Sequence, residues 1–279
     1  MSSGNDLSAF GTYAPRGMVA ALLARTSTAG EGWLGRRIAF VLRRFCLMLL
    51  RGAPLDVERY GARMRLYPYN NVSEKRILFT PQYFDPAERE LLASRIGDNF
   101  IFIDVGANIG GYALFAAARG GPGARILAIE PQQDIFERLI FNIRQNGFAN
   151  IKALDCAVAD KDGEITLFLD RNNRGETSMR IVGPDGAGDS LRVPAKTLLG
   201  IVAEEGYERI DAIKLDVEGA EDLILEPFLR NAPPSLWPRL IVMEHLHQRW
   251  LVNMPELLTG KGYRQVLLSR NNAVWERGG

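Results

Sequence analysis

The sequence is poor in the side chains that bind metals and form cross-links. It holds two histidines, His245 and His247, and two cysteines, Cys46 and Cys156. Neither a CxxC nor an HExxH motif occurs, which excludes a structural zinc site. Two cysteines so far apart offer no disulfide framework and point to a reduced, cytoplasmic setting. No stretch approaches the roughly 18 charge-free apolar residues of a spanning helix. A signal peptide is not expected either, since the apolar run arrives late and no small-residue cleavage site follows it directly. A net charge of +1 leaves no electrostatic footprint for nucleic acid. No internal repeat is visible.

What remains is ordinary for a globular chain, with 47% apolar and 24% charged residues in a length of 279. One large domain behind an N-terminal extension is the expectation. The informative stretch is Asn99 to Tyr112. Phe100 to Val105 is an apolar run too short for a helix, as expected of a strand buried on both faces. A glycine-rich turn follows, then Tyr112 to Arg119, a strong helix former. Strand, glycine turn and helix form the first half of a nucleotide-binding βαβ unit. Gly106 and Gly110 let bare backbone approach a ligand. Asn108 stands where a middle glycine is often found, and Asn is the side chain that best tolerates positive φ. The next strand, Arg125 to Ile129, ends in Glu130, 20 residues past Gly110. An acid there accepts hydrogen bonds from ribose hydroxyls and repels a 2′-phosphate.

The rest of the chain alternates helix and strand. Residues 1 to about 16 read as frayed. Trp33 to Arg51 reads as a helix, with Leu34, Ile38, Val41, Leu42, Phe45, Met48 and Leu49 on one face and five arginines off that stripe. Such a helix either lies on an anionic membrane surface or packs on the catalytic domain or a second subunit, as in a homodimer. Met64 to Pro68 and Arg76 to Phe79 read as short strands of a cap. Asp85 reads as the N-cap of a helix reaching about Ile96. Helices are expected at 132–145, 197–207, 218–229 and 254–260. Strands are expected at 151–157, 210–216 and 240–243, with two more at 263–268 and 273–276. Asp162-Gly163 signals a hairpin, and residues 170–190 read as a mobile lid. This gives an extension at 1–51, a cap or lead-in at 52–98 and the main domain at 99–279.

Ligands of open α/β sheets bind beyond the carboxyl ends of the strands. Asp104, Glu130, Asp155, Asp216, Glu244 and His245 close the strands here, which puts five carboxylates and an imidazole on one rim. A random surface supplies one or two such residues.

Four segments resemble the FkbM-type S-adenosylmethionine-dependent methyltransferases: Phe102 to Gly110, Ala128 to Pro131, Ala157 to Gly163 and Ile213 to Glu221. The resemblance covers about Pro81 to Leu268. It implies an α/β, class I methyltransferase (Rossmann-like) fold, a seven-stranded sheet with the last strand antiparallel. It implies S-adenosyl-L-methionine as cofactor and O-methylation of a hydroxyl on a saccharide, glycolipid or related natural product, a glycan modification. Gly106, Ala107 and Asn108 would then pass under the methionine part, with Gly110 closing the turn. Asp104 would orient that turn or meet the amino group through water, and Glu130 would hold the ribose. Asp155, Cys156 and Ala157 would edge the adenine, and Asp216 would sit beside the transferred methyl. Gly111 replaces an aromatic residue often seen in the family.

An alcohol needs a base or a metal to become a nucleophile at neutral pH. His245, beside Glu244, has the unperturbed pKa of a general base, against a packing role; Asp216 is the next candidate. Asp216, Glu244 and His245 could hold Mg²⁺, but Glu218 and Glu221 read equally as favourable charges in a first helical turn, and no metal is expected. Two other classes compete. One is an NAD-dependent oxidoreductase, disfavoured by the missing glycine and the 99 residues before the first strand. The other is a catalytically inactive cofactor-binding module, disfavoured by the intact acids.

Overall fold

The computed structural model describes residues 6–30, 32–69, 71–170, 173–178, 189–245 and 250–278. Helices α1 (Gly17–Ser27) and α2 (Trp33–Leu50) come first. Strands β1 (Leu55–Arg59) and β2 (Ala62–Leu66) form an antiparallel hairpin. Its two turn residues, Tyr60 and Gly61, have φ of 57° and 88°, the left-handed pair that matches strand twist. The segment before α1 is not frayed throughout. The buried Arg65 guanidinium pairs with Asp56 at 2.7 Å and donates to the carbonyls of Asp6, Ser8 and Ala9 at 2.9–3.0 Å.

Helices α3 (Val72–Phe79) and α4 (Pro86–Ala93) follow. The strand expected at Arg76 to Phe79 is therefore helical. Asn71 caps it by accepting from the Glu74 amide at 3.0 Å. Ile77, Leu78 and Phe79 are buried in succession, without the alternation of a half-exposed strand. Asp85 precedes α4 but does not cap it. It sits at φ 42° with no side-chain cap bond.

The main sheet starts with β3 (Ile101–Val105), all five residues buried. Then come α5 (Gly111–Ala117), β4 (Arg125–Ile129), α6 (Gln133–Arg144) and β5 (Ile151–Leu154). The chain leaves the sheet at Leu154, earlier than expected. Strands β6 (Ala157–Ala159), β7 (Gly163–Asp170), β8 (Asn173–Ser178) and β9 (Asp189–Thr197) form a second sheet in the order β6-β9-β7-β8. The turn at Asp162-Gly163 thus does not close a hairpin between β6 and β7, because β9 lies between them. The lid expected at 170–190 falls largely outside the described residues; 173–178 of it are β8.

Helix α7 (Leu198–Glu204) is capped by Thr197. It leads to β10 (Ala212–Leu215), α8 (Glu221–Asn231), β11 (Leu240–Glu244), α9 (Met254–Gly260), β12 (Tyr263–Leu268) and β13 (Asn272–Arg277). The sheet order is β12-β13-β11-β10-β3-β4-β5, and β13 runs antiparallel to both its neighbours. This is the expected seven-stranded class I arrangement.

Alternation along the strands feeds two cores. Phe102, Ala128 and Val242 face α5, α6 and the N-terminal elements. Ile103, Leu127 and Ile241 face α7, α8 and α9. Connections from β3 and β10 run in opposite directions across the sheet. The topological switch point therefore lies between these two strands, and their carboxyl ends open a crevice.

Candidate active site

The turn after β3 forms the crevice floor. Gly106 and Ala107 both donate to the Ile129 carbonyl at 2.9 Å, which pulls the turn against β4. Gly106 has φ 74°, and a Cβ there would lie 2.1 Å from the Asp216 carbonyl oxygen. Any larger residue would push β3 and β10 apart. Asn108 takes φ 51°, the conformation its side chain tolerates. Its amide donates to Glu130 at 2.9 Å, and its Oδ1 accepts from Asn71 at 2.7 Å. At Gly111, Ile77 and Phe84 occupy the space of a larger side chain, with a Cβ meeting them at 3.0 and 3.3 Å.

Above this floor lies a cavity of about 310 Å³. Of the sequence-predicted residues, it brings together Gly106, Asn108, Glu130, Cys156, Ala157, Asp216 and Glu244. Asp104 and Ala107 line a smaller adjoining void of about 20 Å³ instead. Gly110 shapes the turn from behind, packed against Leu114 and Leu139. Asp155 is exposed and does not line the cavity, because the chain turns between β5 and β6. His245 does not line it either. Its Nε2 lies 3.2 and 3.0 Å from the carbonyl oxygens of Ser269 and Arg270, so that nitrogen carries a proton and donates into the β12–β13 turn. His247 lies outside the described residues.

The electrostatics centre on Lys214, a buried residue on β10 in register with Asp104 of β3. Its Nζ is 2.8 Å from Asp216 and 5.0 Å from the centre of the Tyr112 ring. Burial alone would favour the neutral amine, but Asp216 and Asp104 hold its pKa above the ordinary value. Burial pushes Asp104 up to about 6, against the pull of Lys214. Neither Asp104 oxygen has a well-formed hydrogen bond among the described residues. Burial lifts Glu130 to about 7, opposed by the amides of Gln132 and Asn108. Glu244 is pushed up to about 9 by burial and then by the charges of Asp216, Glu218 and Glu221. Its Oε2 has no hydrogen-bond partner among the described residues. Burial raises the Cys156 thiol to about 11, which leaves it neutral and unreactive.

Sequence reasoning missed several wall residues. Val72, Ser73 and Arg76 come from α3, and Phe84 and Asp85 from the loop before α4. Asp85 accepts from Arg76 at 3.1 Å and from the Tyr112 hydroxyl at 3.3 Å, which is why it does not cap α4. Asn71 followed three residues later by Glu74 is a helix-start signature that could have revealed α3. Asn271 and Asn272 of the β12–β13 turn complete the rim. Glu218 also faces the cavity, at φ 53° ahead of α8 and not in its first turn. Carboxylate oxygens of Asp216, Glu218 and Glu244 lie within 4.8 Å of one another, so Glu218 stands where the sequence suggested His245.

The sequence matches the Methyltransferase FkbM domain over residues 104–265. The chain belongs to this family. It is accordingly a methyltransferase, and its cofactor is S-adenosylmethionine. Methyltransferase sdnD of Sordaria araneosa is 28% identical over 76% of this chain and 90% of its own length. The 31-O-demethyl-FK506 methyltransferase FkbM of Streptomyces tacrolimicus is 27% identical over 70% of this chain and 84% of its own. Among solved structures, the METTL16 MTase domain is similar with a TM-score of 0.48 at 16% identity, covering 94% of this chain and 92% of that one. The family assignment sets the nicotinamide reading aside.

The residues present fit the cofactor. Among the described residues five carboxylates, Asp85, Glu130, Asp216, Glu218 and Glu244, face the cavity against one guanidinium, that of Arg76. This surplus suits a ligand bearing a sulfonium and an ammonium. Glu130 accepts one backbone amide at each oxygen, at 2.9 and 3.0 Å, which leaves a lone pair on each open to further donors such as hydroxyls.

Proposed function

We propose that this FkbM-family enzyme methylates a hydroxyl oxygen on a saccharide, a glycolipid or a related natural product. The observation that carries the reading is the Asp216 carboxylate, facing the cavity beside Gly106 and backed by Lys214 at 2.8 Å. A hydroxyl acceptor must lose a proton as its oxygen attacks, and Asp216 is the carboxylate in position to take it. S-adenosylmethionine supplies an electrophilic methyl on a cationic sulfur. When bound, it would give that methyl to the acceptor oxygen and keep the carbon–sulfur electron pair on sulfur. The chain's contribution is positioning, proton removal and exclusion of water.

Gly106, Ala107 and Asn108 run under the methionine part, Glu130 takes the ribose, and Cys156 and Ala157 edge the adenine. Glu244, whose Oε2 has no hydrogen-bond partner among the described residues, meets the acceptor. His245 acts as a positioning residue that holds the turn carrying Asn271 and Asn272. Those amides and the acids opposite them are the hydrogen-bonding chemistry that polyhydroxylated acceptors require. The name of the Streptomyces relative, an O-demethyl natural-product methyltransferase, supports oxygen as the methylated atom. In this reading the lead-in at 52–98 walls the site of the catalytic domain at 99–279.

The test is methyl transfer from labelled S-adenosylmethionine to a panel of saccharides, glycolipids and polyketides. With an acceptor in hand, Asp216→Asn should lower turnover by about 10²–10⁴ while leaving the affinity for S-adenosylhomocysteine within a few-fold. His245→Ala should lower it far less. A larger loss from His245→Ala than from Asp216→Asn would return the base role to the imidazole. Loss of activity with chelator alone would transfer the three clustered carboxylates to a metal.

A further inference from the structure

Helix α2 turns the wrong face inward for a helix that merely packs on its own domain. The apolar stripe legible in the sequence is its outer face. Leu34, Val41 and Met48 are 62%, 59% and 62% exposed, and Ile38, Phe45 and Leu49 beside them are exposed too. These six side chains fill a continuous sector of roughly 100°, the width that normally faces a core. The inner face instead uses Ala39 and Cys46, both buried. No helix among the described residues is long and apolar enough to cross a membrane.

The charge beside this stripe has one sign. Arg36, Arg37, Arg43, Arg44 and Arg51 lie on or just after the helix, and no Asp or Glu occurs from residue 32 to 55. Three of the arginines lean over aromatic rings, Arg36 over Tyr83 at 5.1 Å, Arg37 over Trp33 at 5.2 Å and Arg43 over Phe40 at 4.6 Å. Pairing α2 with a second copy of itself would bury the stripe but bring the arginines of both copies together with no helix carboxylate between them. Nucleic acid would match the charge and leave the stripe in water. An anionic lipid surface satisfies both, with the apolar sector among the acyl chains and the arginines at the headgroups.

We infer that α2 docks the enzyme in the plane of an anionic lipid bilayer. Docking itself requires neither the cofactor nor the acceptor.

Flotation of the full chain with vesicles tests this. Vesicles of phosphatidylcholine plus phosphatidylglycerol should carry the protein upward, and vesicles of phosphatidylcholine alone should not. Each arginine near an anionic surface strengthens partitioning about fivefold, so Arg37→Gln with Arg44→Gln should weaken it roughly 25-fold. Val41→Glu with Met48→Glu should abolish it. Leu251→Glu, at an exposed leucine elsewhere, should leave it intact. Binding should collapse toward about 1 M salt, where the Debye length falls to about 3 Å. All variants should bind S-adenosylhomocysteine as the parent does, showing that they are folded. Failure to bind anionic vesicles would overturn the inference, as would equal binding to both vesicle types. So would a lipid-indifferent dimer that Val41→Glu with Met48→Glu splits into monomers.

Discussion

Glu130→Ala removes the carboxylate proposed to hold the ribose, and its two effects pull apart. In the cofactor-free chain Glu130 is buried, and burial lifts its pKa from 4.5 to about 7. Keeping it ionised at high pH therefore costs roughly 3 kcal/mol. That net cost already includes the two backbone hydrogen bonds from Asn108 and Gln132, which oppose the burial. Alanine relieves the cost but leaves those two amides unpaired, a loss of opposite sign, so the melting temperature of the free chain should move by only a few degrees. Cofactor binding has no such compensation. Loss of the ribose contacts should weaken S-adenosylhomocysteine at least about tenfold by calorimetry. The parent's affinity should also fall as pH drops below about 7, because protonation removes the charged acceptor. Unchanged affinity in the variant, or a pH-independent dissociation constant in the parent, would refute the assignment.

Asp104, Glu130, Glu74 and Glu244 all have folded-state pKa values raised by burial, to about 6, 7, 6 and 9. Folding therefore takes up protons, and the free chain's stability should be greatest near pH 4–5 and fall as pH rises through about 6–9; chemical denaturation across that window measures it, and a rising trend contradicts the burial argument. Lys214→Met should lower the melting temperature sharply by stranding Asp104 and Asp216, and Asp104→Asn in the same chain should restore part of the loss. Asn71→Ala should destabilise the chain by about 1 kcal/mol through loss of the α3 cap and also raise the dissociation constant for S-adenosylhomocysteine, since Asn71 holds Asn108; a stability change without an affinity change would detach α3 from the cofactor turn.

What the sequence made legible was whatever short-range pattern controls. A buried strand, a glycine turn and an acid at the next strand end are written in consecutive residues, so β3, Gly106 and Glu130 could be placed from them alone. The error over α3 came from Arg76 to Phe79, where a short apolar run suits strand and helix equally and only the cap at Asn71 decides. The hairpin at Asp162-Gly163 failed for another reason. Turn chemistry fixes the turn, but β9, about thirty residues on in the chain, determines which strand β7 pairs with. His245 illustrates a third limit. A histidine at a strand tip has the composition of a base, yet the direction of its ring is set by two carbonyls 24 and 25 residues away. The outward face of α2 was invisible for the same cause: an amphipathic pattern gives the stripe but not which side the fold covers.

The carboxylate surplus explains why these pieces belong together. Five of the acids among the described residues face one cavity, and burial, then the charges of Asp216, Glu218 and Glu221, push the Glu244 pKa up. A bound cation reverses that balance. Cofactor binding should therefore release protons from Glu244 and Glu130, and it should strengthen with pH over the range in which the free chain weakens. The repulsion that destabilises the free site becomes attraction for the sulfonium and ammonium. Asp104 extends the same logic one layer deeper, with two oxygens that lack well-formed hydrogen bonds beside a void large enough for about one water. A water there would join Asp104 to Lys214 or to the ligand. The α3 wall adds the remaining constraint, since Asn71 ties it to the turn and the buried Glu74–Arg138 pair ties it to α6. Movement of that wall would disturb Asn108, and with it the amide that Glu130 needs. On the proposed cofactor site, affinity should thus depend on a segment that lies before the first strand of the sheet.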